Sequence, residues 1–206
     1  SIGASVGNYI SGQVYTQVEL GAEVNVDLVV QGFVDALKKQ QQFTDEEVLT
    51  YLNQRADELN QMRIANAEKL AADNIKAGEA FMAENKNKAG VTVTESGLQY
   101  EVINAGAGEK PTAQSTVRTH YHGTFINGDV FDSSYDRGQP AEFPVGGVIP
   151  GWTEALQLMS EGSKWELYIP ADLGYGAGGQ GPIGPNSVLI FEVELLKADV
   201  NKTDAS

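Results

Sequence analysis

Proline and glycine are distributed very unevenly along this chain of 206 residues. All seven prolines lie after residue 110, and 16 of the 23 glycines lie after residue 90. Proline removes a backbone hydrogen-bond donor and glycine favours turns, so both residues interrupt long helices. We therefore expect the first 90 residues to be helical and residues 91–206 to consist of strands joined by turns.

Helical signals are strong in the first part. Apolar residues recur every four positions within residues 2–18, and a similar apolar stripe follows within residues 26–39. Thr44 and Glu47 then form a capping-box pattern, which predicts the start of a third helix. This helix is expected to run to about residue 88, because only a glycine interrupts the pattern before then. Its apolar residues are sparse, which indicates a mostly solvated helix with patches of core contact.

Two short helices with apolar stripes bury little surface by themselves. Their simplest partner is the same segment of a second chain. We therefore predict a homodimer formed by a helical dimerisation domain at residues 1–43, followed by a long linking helix at residues 44–90. The competing interpretation is a monomer whose helices fold back on residues 91–206.

Beyond Val91 the apolar residues alternate with a period of two, which is typical of half-buried strands. Asn127 and Gly128 form a strong hairpin signal, and one short helical stretch follows at residues 152–159. The prediction is an α+β domain at residues 91–206, with an antiparallel sheet and one short helix to cover it. The strands are expected at residues 98–103, 116–125, 130–132, 142–143, 164–169 and 188–196.

Charge and composition exclude several classes of function. The formal net charge of −14 argues against nucleic acid and anionic membrane surfaces as main partners. The chain has no cysteine, so disulfides and thiol catalysis are excluded. No apolar run approaches the roughly 18 residues of a transmembrane helix. No export signal is visible, which predicts a cytoplasmic location, with the periplasm as the alternative.

Two patterns resemble ligand sites that the surrounding sequence does not support. His120 and His122 share one face of a strand, but local spacing supplies no third metal ligand, so we interpret them as exposed strand histidines. Residues 174–179 contain G-x-G-x-x-G, but the proline-containing residues 180–185 cannot open the helix that a dinucleotide site needs. We expect neither a metal nor a cofactor, and the glycine-rich segment is either a flexible loop or a flap over a pocket.

Trp152 lies where a series of turns gives way to the short helix. A tryptophan on the first turn of a helix can present its flat face as the floor of a pocket, although a lone tryptophan is more often a core residue. Asp132 ends a strand, where a turn aspartate bonded to backbone is the ordinary interpretation.

Five segments follow one another in the second part of the chain: Tyr121-His122-Gly123, Phe131-Asp132-Ser133-Ser134, Val148-Ile149-Pro150-Gly151-Trp152, Tyr175-Gly176 and the strand residues 189–196. In their order and spacing over about 100 residues they resemble the FKBP-type peptidyl-prolyl cis-trans isomerases. The helical N-terminal part is similar to that of the bacterial two-domain members of macrophage-infectivity-potentiator type.

The resemblance implies a curved antiparallel sheet wrapped around the short helix, and a homodimer made by the N-terminal helices. It also implies an isomerase that acts on X-Pro bonds of unfolded or partly folded proteins, with chaperone-like binding of clients, and that binds macrolides such as tacrolimus or rapamycin. The alternative is a non-catalytic module or chaperone that binds proline peptides or macrolides.

The resemblance also implies roles for individual residues. Those implied in catalysis are Asp132, Tyr121 and Tyr175; those implied in substrate binding are Phe131, Phe143, Val148, Ile149, Trp152 and Ile183. Within this set, the Ile149 N–H and the Tyr175 hydroxyl are expected to be hydrogen-bond donors. Ala141 stands where members with a strongly aromatic pocket carry an aromatic residue, a difference that bears on macrolide affinity.

Overall fold

Helices occupy most of the first 85 residues and strands dominate the remainder, as the distribution of proline and glycine indicates. The computed structural model describes residues 1–202, and the chain divides into two compact units between Lys69 and Leu70. The expected α+β class is confirmed.

The first unit contains helix α1 (Ile2–Glu19), helix α2 (Val26–Leu37) and the first part of helix α3 (Asp45–Asn85). The helices begin and end within a few residues of their expected bounds. Among residues 1–202, no helix has the length and apolar character needed to cross a membrane.

Side chains cap the starts of α2 and α3. The Asn25 carboxamide oxygen accepts a hydrogen bond of 3.1 Å from the Leu28 N–H. The Thr44 N–H donates to the Glu47 carboxylate at 2.9 Å, and the Glu47 N–H donates to Thr44 Oγ1 at 3.3 Å. The predicted capping box is therefore present, and it fixes the first turn of α3.

The apolar side chains of the first unit are largely uncovered. Ala22 is the only buried residue of residues 1–69, whereas Leu28 and Leu37 are 68% and 70% exposed. A groove of about 260 Å³ lies between α1 and α2, and Val30 and Phe33 contribute to its wall. Covering apolar surface of this kind is favourable, so this face is suited to a partner.

The second unit is built on an antiparallel sheet of seven strands within residues 70–202. These strands are β1 (Val91–Val93), β2 (Gln99–Asn104), β3 (Thr116–Phe125), β4 (Val130–Ser133), β5 (Ala141–Pro144), β6 (Lys164–Ile169) and β7 (Leu189–Lys197). Their order is β1-β2-β6-β7-β3-β4, and β5 pairs with the first half of β3. Every expected strand is present, with small shifts at the ends.

Strand alternation places Tyr121 and Phe191 on the inner face of the sheet, where they join the core. Helix α4 (Pro150–Leu158) covers this face and buries Leu156 completely. A Cβ on Gly151 would lie 2.7 Å from Ile169 Cγ2, so glycine is what lets the start of α4 approach β6 so closely.

His120 and His122 lie on the opposite, outer face of β3 and are half-buried, so the prediction that they are exposed is wrong. His120 is half-buried because the segment that follows β4 covers it. His120 Nδ1 lies 2.9 Å from Ser134 Oγ, and its ring stacks on Tyr135 with the ring centroids 4.6 Å apart.

The last turns of α3 pack on the sheet face opposite the core. The buried Asn85 donates from Nδ2 to Gln99 Oε1 at 3.0 Å, and Gln99 Nε2 donates to the Met82 carbonyl at 2.9 Å. The rings of Phe81 and Tyr168 lie beside this pair, with centroids 6.0 Å apart. These contacts fix the C-terminal end of this long helix against the sheet.

Candidate functional site

Three aromatic rings surround the indole of Trp152 at the first turn of α4. The ring centroids of Tyr121, Phe143 and Phe191 lie 5.4, 5.7 and 5.2 Å from it, each nearly perpendicular to the indole plane. Edge-to-face contacts of this kind are favoured by the charge distribution of aromatic rings. Trp152 is only 4% exposed, so packing from several sides fixes its orientation at the floor of a cleft.

The turn before α4 leaves the Ile149 N–H without a hydrogen-bond partner among the described residues. Pro150 occupies the first helical position, where its missing N–H costs nothing, and the Ile149 carbonyl accepts from the N–H groups of Trp152 and Thr153 at 3.0 Å. Within residues 1–202, the N–H of Ile149 itself makes no hydrogen bond. This donor therefore remains available at the edge of the tryptophan floor.

A carboxylate, a phenol and a guanidinium meet at one side of the cleft. The Tyr121 hydroxyl donates to Asp132 Oδ2 at 2.6 Å, and Arg137 Nη2 donates to the Tyr121 oxygen at 2.6 Å. Arg137 Nη1 forms an ion pair with Asp132 Oδ1, and the guanidinium carbon lies 5.4 Å from the centre of the Tyr121 ring. Each of the three groups thus contacts the other two.

This contact set determines the protonation of the carboxylate. Burial by itself would raise the pKa of Asp132, but the hydrogen bond from Tyr121 and the charge of Arg137 together hold that pKa below its ordinary value. The pKa of Tyr121 is raised, by burial first and by the hydrogen bond to Asp132 second. At neutral pH the cleft therefore carries an ionised carboxylate and a neutral phenol.

The segment after β4 brings Arg137 to this position by folding back on β3. Ser134 Oγ accepts from the Tyr121 N–H at 2.8 Å, and the Asp136 N–H donates to Ser133 Oγ at 3.2 Å. The two serines of the Phe131-Asp132-Ser133-Ser134 segment thus fix the local backbone.

The glycine-rich segment after Tyr175 forms a flap, which we define as residues 176–187. The Asn186 N–H donates to the Gly176 carbonyl at 2.9 Å and closes its base, while Gln180 and Ile183 exchange two backbone hydrogen bonds of 2.9 Å at its tip. A Cβ on Gly179 would lie 2.3 Å from the Ile183 oxygen, so a side chain there is incompatible with this tip. The tip turns Ile183 inward, where it is 8% exposed.

These elements enclose one cleft of about 760 Å³, and all nine site residues named from the sequence line it. From here "the cleft" means the space lined by Tyr121, Phe131, Asp132, Phe143, Gly147, Val148, Ile149, Trp152, Tyr175, Gln180, Gly181, Pro182, Ile183 and Phe191. The flexible-loop interpretation of the glycine-rich segment gives way to that of a flap over a pocket.

Sequence reasoning missed Phe191 and Arg137. Phe191 lies in a strand whose alternation predicts one buried face, but alternation alone gives no sign that this position also reaches Trp152. Arg137 lies in a segment without periodicity, although a basic residue five positions after Asp132 is a signal that could have suggested an ion pair.

Fold and cleft together define a class of protein with an aromatic floor suited to a small apolar ring, beside a hydrogen-bonded carboxylate. Residues 107–196 match the family model described as FKBP-type peptidyl-prolyl cis-trans isomerase, and residues 1–102 match the domain amino-terminal to it. The chain belongs to the family of FKBP-type peptidyl-prolyl cis-trans isomerases.

Similar proteins cover nearly the whole chain. The FKBP-type peptidyl-prolyl cis-trans isomerase FkpA of Aeromonas hydrophila is 46% identical over 99% of this chain and 76% of its own length. The outer membrane protein MIP of Legionella longbeachae is 44% identical over 95% of this chain and 82% of its own length. The crystal structure of FkpA from Escherichia coli superposes with a TM-score of 0.83 at 39% identity, covering 96% of this chain and 94% of that one. The family, fold and isomerase activity expected from the sequence are confirmed.

Proposed function

We propose that the cleft catalyses cis–trans isomerisation of X-Pro bonds by holding the proline ring on Trp152 while the preceding carbonyl group rotates. The observation that carries this proposal is the buried Trp152 indole, held by aromatic rings perpendicular to it, together with the Ile149 N–H beside it, which makes no hydrogen bond within residues 1–202. The ring and the backbone acceptor of a prolyl peptide match these two features.

The reaction requires no nucleophile. A peptide bond resists rotation by about 18–20 kcal/mol because resonance makes it planar. In the twisted transition state that resonance is lost and the carbonyl group becomes less polar. An apolar cleft binds this state better than the planar, well-solvated amide, and such differential binding lowers the barrier.

The polar residues have separate proposed roles. Ile149 N–H and the Tyr175 hydroxyl donate to backbone carbonyls of the substrate and hold the chain on either side of the proline. Asp132 supplies a fixed negative charge near the rotating group, and its bond to Tyr121 holds that ring in the wall. Phe131, Phe143 and Val148 exclude water from the reacting bond, and Ile183 on the flap contacts the bound peptide.

We also propose that the clients are unfolded or partly folded proteins, held by a homodimer formed through residues 1–43, with residues 44–90 as the linking helix. The uncovered apolar groove between α1 and α2 supports this proposal. Macrolides such as tacrolimus or rapamycin are proposed ligands of the cleft, bound more weakly than by a strongly aromatic pocket because Ala141 adds no ring to the wall.

The compartment is proposed to be the cytoplasm or the periplasm, and the name of the relative from Legionella longbeachae, an outer membrane protein, favours the periplasm. Fractionation of the source cells against marker proteins of each compartment distinguishes the two.

The central test is NMR exchange spectroscopy on a short X-Pro peptide with catalytic amounts of the full chain. We expect faster cis–trans exchange, and inhibition by a macrolide that occupies the cleft. A chain that binds the peptide, as seen from shifts of its own signals, without accelerating exchange would instead be the non-catalytic binding module.

A further inference from the structure

The outgoing arm of the flap, residues 184–187, is held by a side chain of helix α3. Asn74 Nδ2 donates to the Pro185 carbonyl at 2.8 Å and lies 3.4 Å from Ser187 Oγ. Ser187 Oγ in turn donates to the Gly184 carbonyl at 2.9 Å. A single carboxamide from outside the flap thus engages two of the four residues in this arm.

The neighbours of Asn74 on α3 make this approach possible. Leu70, Asn74 and Gly78 are spaced by four and therefore lie on one stripe of the helix. Leu70 Cδ2 lies 3.3 Å from the position of a Cβ on Gly184, and a Cβ on Gly78 would lie 2.7 Å from Val188 Cγ2. The outgoing arm and the residue after it, Val188, therefore run along this stripe in close contact.

The anchored arm leads directly to the cleft. Ile183, which is almost fully buried in the cleft, lies two residues before Pro185, whose φ angle is fixed by its ring. Few backbone torsions therefore separate the Asn74 anchor from the apolar wall. Releasing the Pro185 carbonyl would free this arm and, with it, the position of Ile183.

We propose that Asn74 is a positioning residue for the isomerase reaction, which holds the flap so that Ile183 stays in the cleft. This inference rests on the proposed role of Ile183 in the cleft wall. The flap contacts the substrate before and during rotation of the bond. A displaced flap therefore weakens binding of the ground state and of the transition state equally. Uniform loss of binding raises KM and leaves kcat unchanged.

The experiment compares Asn74→Ala and Asn74→Asp with wild type in the full chain. Asp has the shape of Asn without its N–H donor, so it separates the hydrogen bond from side-chain volume. Asn66→Ala is the matched control, because Asn66 is an asparagine of the same helix whose Nδ2 donates to the Leu20 carbonyl. Peptide kinetics and amide hydrogen exchange are measured on all four proteins.

We expect both Asn74 variants to raise KM about fivefold, the effect of one net hydrogen bond, with kcat within about twofold of wild type. Amide exchange should accelerate at the flap bonds of Gln180, Ile183 and Asn186, while the central strand β7 stays protected. Asn66→Ala should leave KM, kcat and amide exchange of the flap unchanged.

Unaltered flap exchange with an unaltered KM in Asn74→Ala would overturn the inference. So would full activity in Asn74→Asp combined with loss in Asn74→Ala, because volume rather than the donor would then be responsible. An inactive wild-type chain would contradict the proposed function instead, and flap exchange would still decide the role of Asn74.

Discussion

The Tyr121 hydroxyl lies 2.6 Å from Asp132 Oδ2, so an aromatic wall residue of the cleft and its carboxylate are joined by a short hydrogen bond. Arg137 contacts both partners, which makes the pair one unit rather than two independent side chains. Substitutions in this unit are therefore expected to change the geometry of the cleft as well as its charge.

Removing the Tyr121 hydroxyl tests this unit most directly. Tyr121→Phe keeps the ring in the wall but removes the phenol that donates to Asp132. We expect kcat/KM for a prolyl peptide to fall about tenfold, the equivalent of one charge-assisted hydrogen bond. Tyr135→Phe is the matched control, because the Tyr135 hydroxyl donates to Glu194 outside the cleft. Equal activity of the two variants would show that the Tyr121–Asp132 bond has no catalytic role.

The charge of Asp132 is expected to control the acid limb of activity. Because its pKa is held below the ordinary value of about 3.9, kcat/KM should stay constant from neutral pH down to about pH 4 and fall only below it. The stability that this depressed pKa contributes is present above the unfolded-state value and is lost as the pH falls through the folded-state value.

Two variants separate the charge of Asp132 from its shape. Arg137→Gln should move the acid limb of the pH profile upward, because the cation that lowers the pKa of Asp132 is gone. Asp132→Asn should leave the fold intact, although it loses the stability that the ionised carboxylate contributes, and should lower turnover at neutral pH. Full activity of Asp132→Asn toward several peptides would mean that Asp132 is only a turn residue.

Trp152 is expected to combine catalytic and structural roles. Trp152→Ala removes a buried indole from among three rings and should cost about 3–5 kcal/mol of unfolding free energy together with most of the activity. Trp152→Phe should retain more of both, since the indole Nε1 makes no hydrogen bond within residues 1–202 and only ring area is lost. Denaturant unfolding and peptide kinetics measure the two effects; Trp152→Ala with wild-type stability would contradict the packing argument.

The sequence predicts local structure and the location of the cleft well, for physical reasons that can be named. The capping box at Thr44 depends on residues three apart, and the placement of Tyr121 depends on alternation within one strand. The nine cleft residues were found by resemblance, since only the order of distant segments connects Asp132 with Trp152 and Ile183.

The contacts that were not predicted all depend on tertiary folding. Arg137 reaches Tyr121 because an aperiodic segment folds back on β3, and Phe191 reaches Trp152 because α4 covers the sheet. Gly78 is the glycine that interrupts the pattern of the long helix, and the structure shows that it allows Val188 to approach. When a helix has few apolar residues, no local pattern indicates which of its sides packs against a sheet.

This packing of α3 predicts that residues 70–90 stabilise the catalytic unit. A fragment of residues 91–206 should still isomerise peptides, because every cleft residue lies within it. Compared with a fragment of residues 70–206, it should lose about 2 kcal/mol of unfolding free energy, since Tyr168 loses its contact with Phe81. Equal denaturation midpoints with equal m values would contradict this; a folded but inactive 91–206 fragment would contradict the assignment of the cleft.

Deleting residues 1–43 is expected to separate activity on peptides from activity on proteins. Without the apolar groove between α1 and α2, the chain should sediment as a monomer and keep its kcat/KM for a tetrapeptide. A non-native protein can contact two linked subunits at once, and the second contact gains from high effective concentration. The monomer should therefore catalyse refolding of a proline-limited protein poorly.

Val30→Asp, which places a charge in the groove, should reproduce both effects without truncation. Sedimentation of the intact chain as a monomer would contradict the proposed dimer. Undiminished refolding catalysis by the deletion variant would contradict a role of the dimer in refolding.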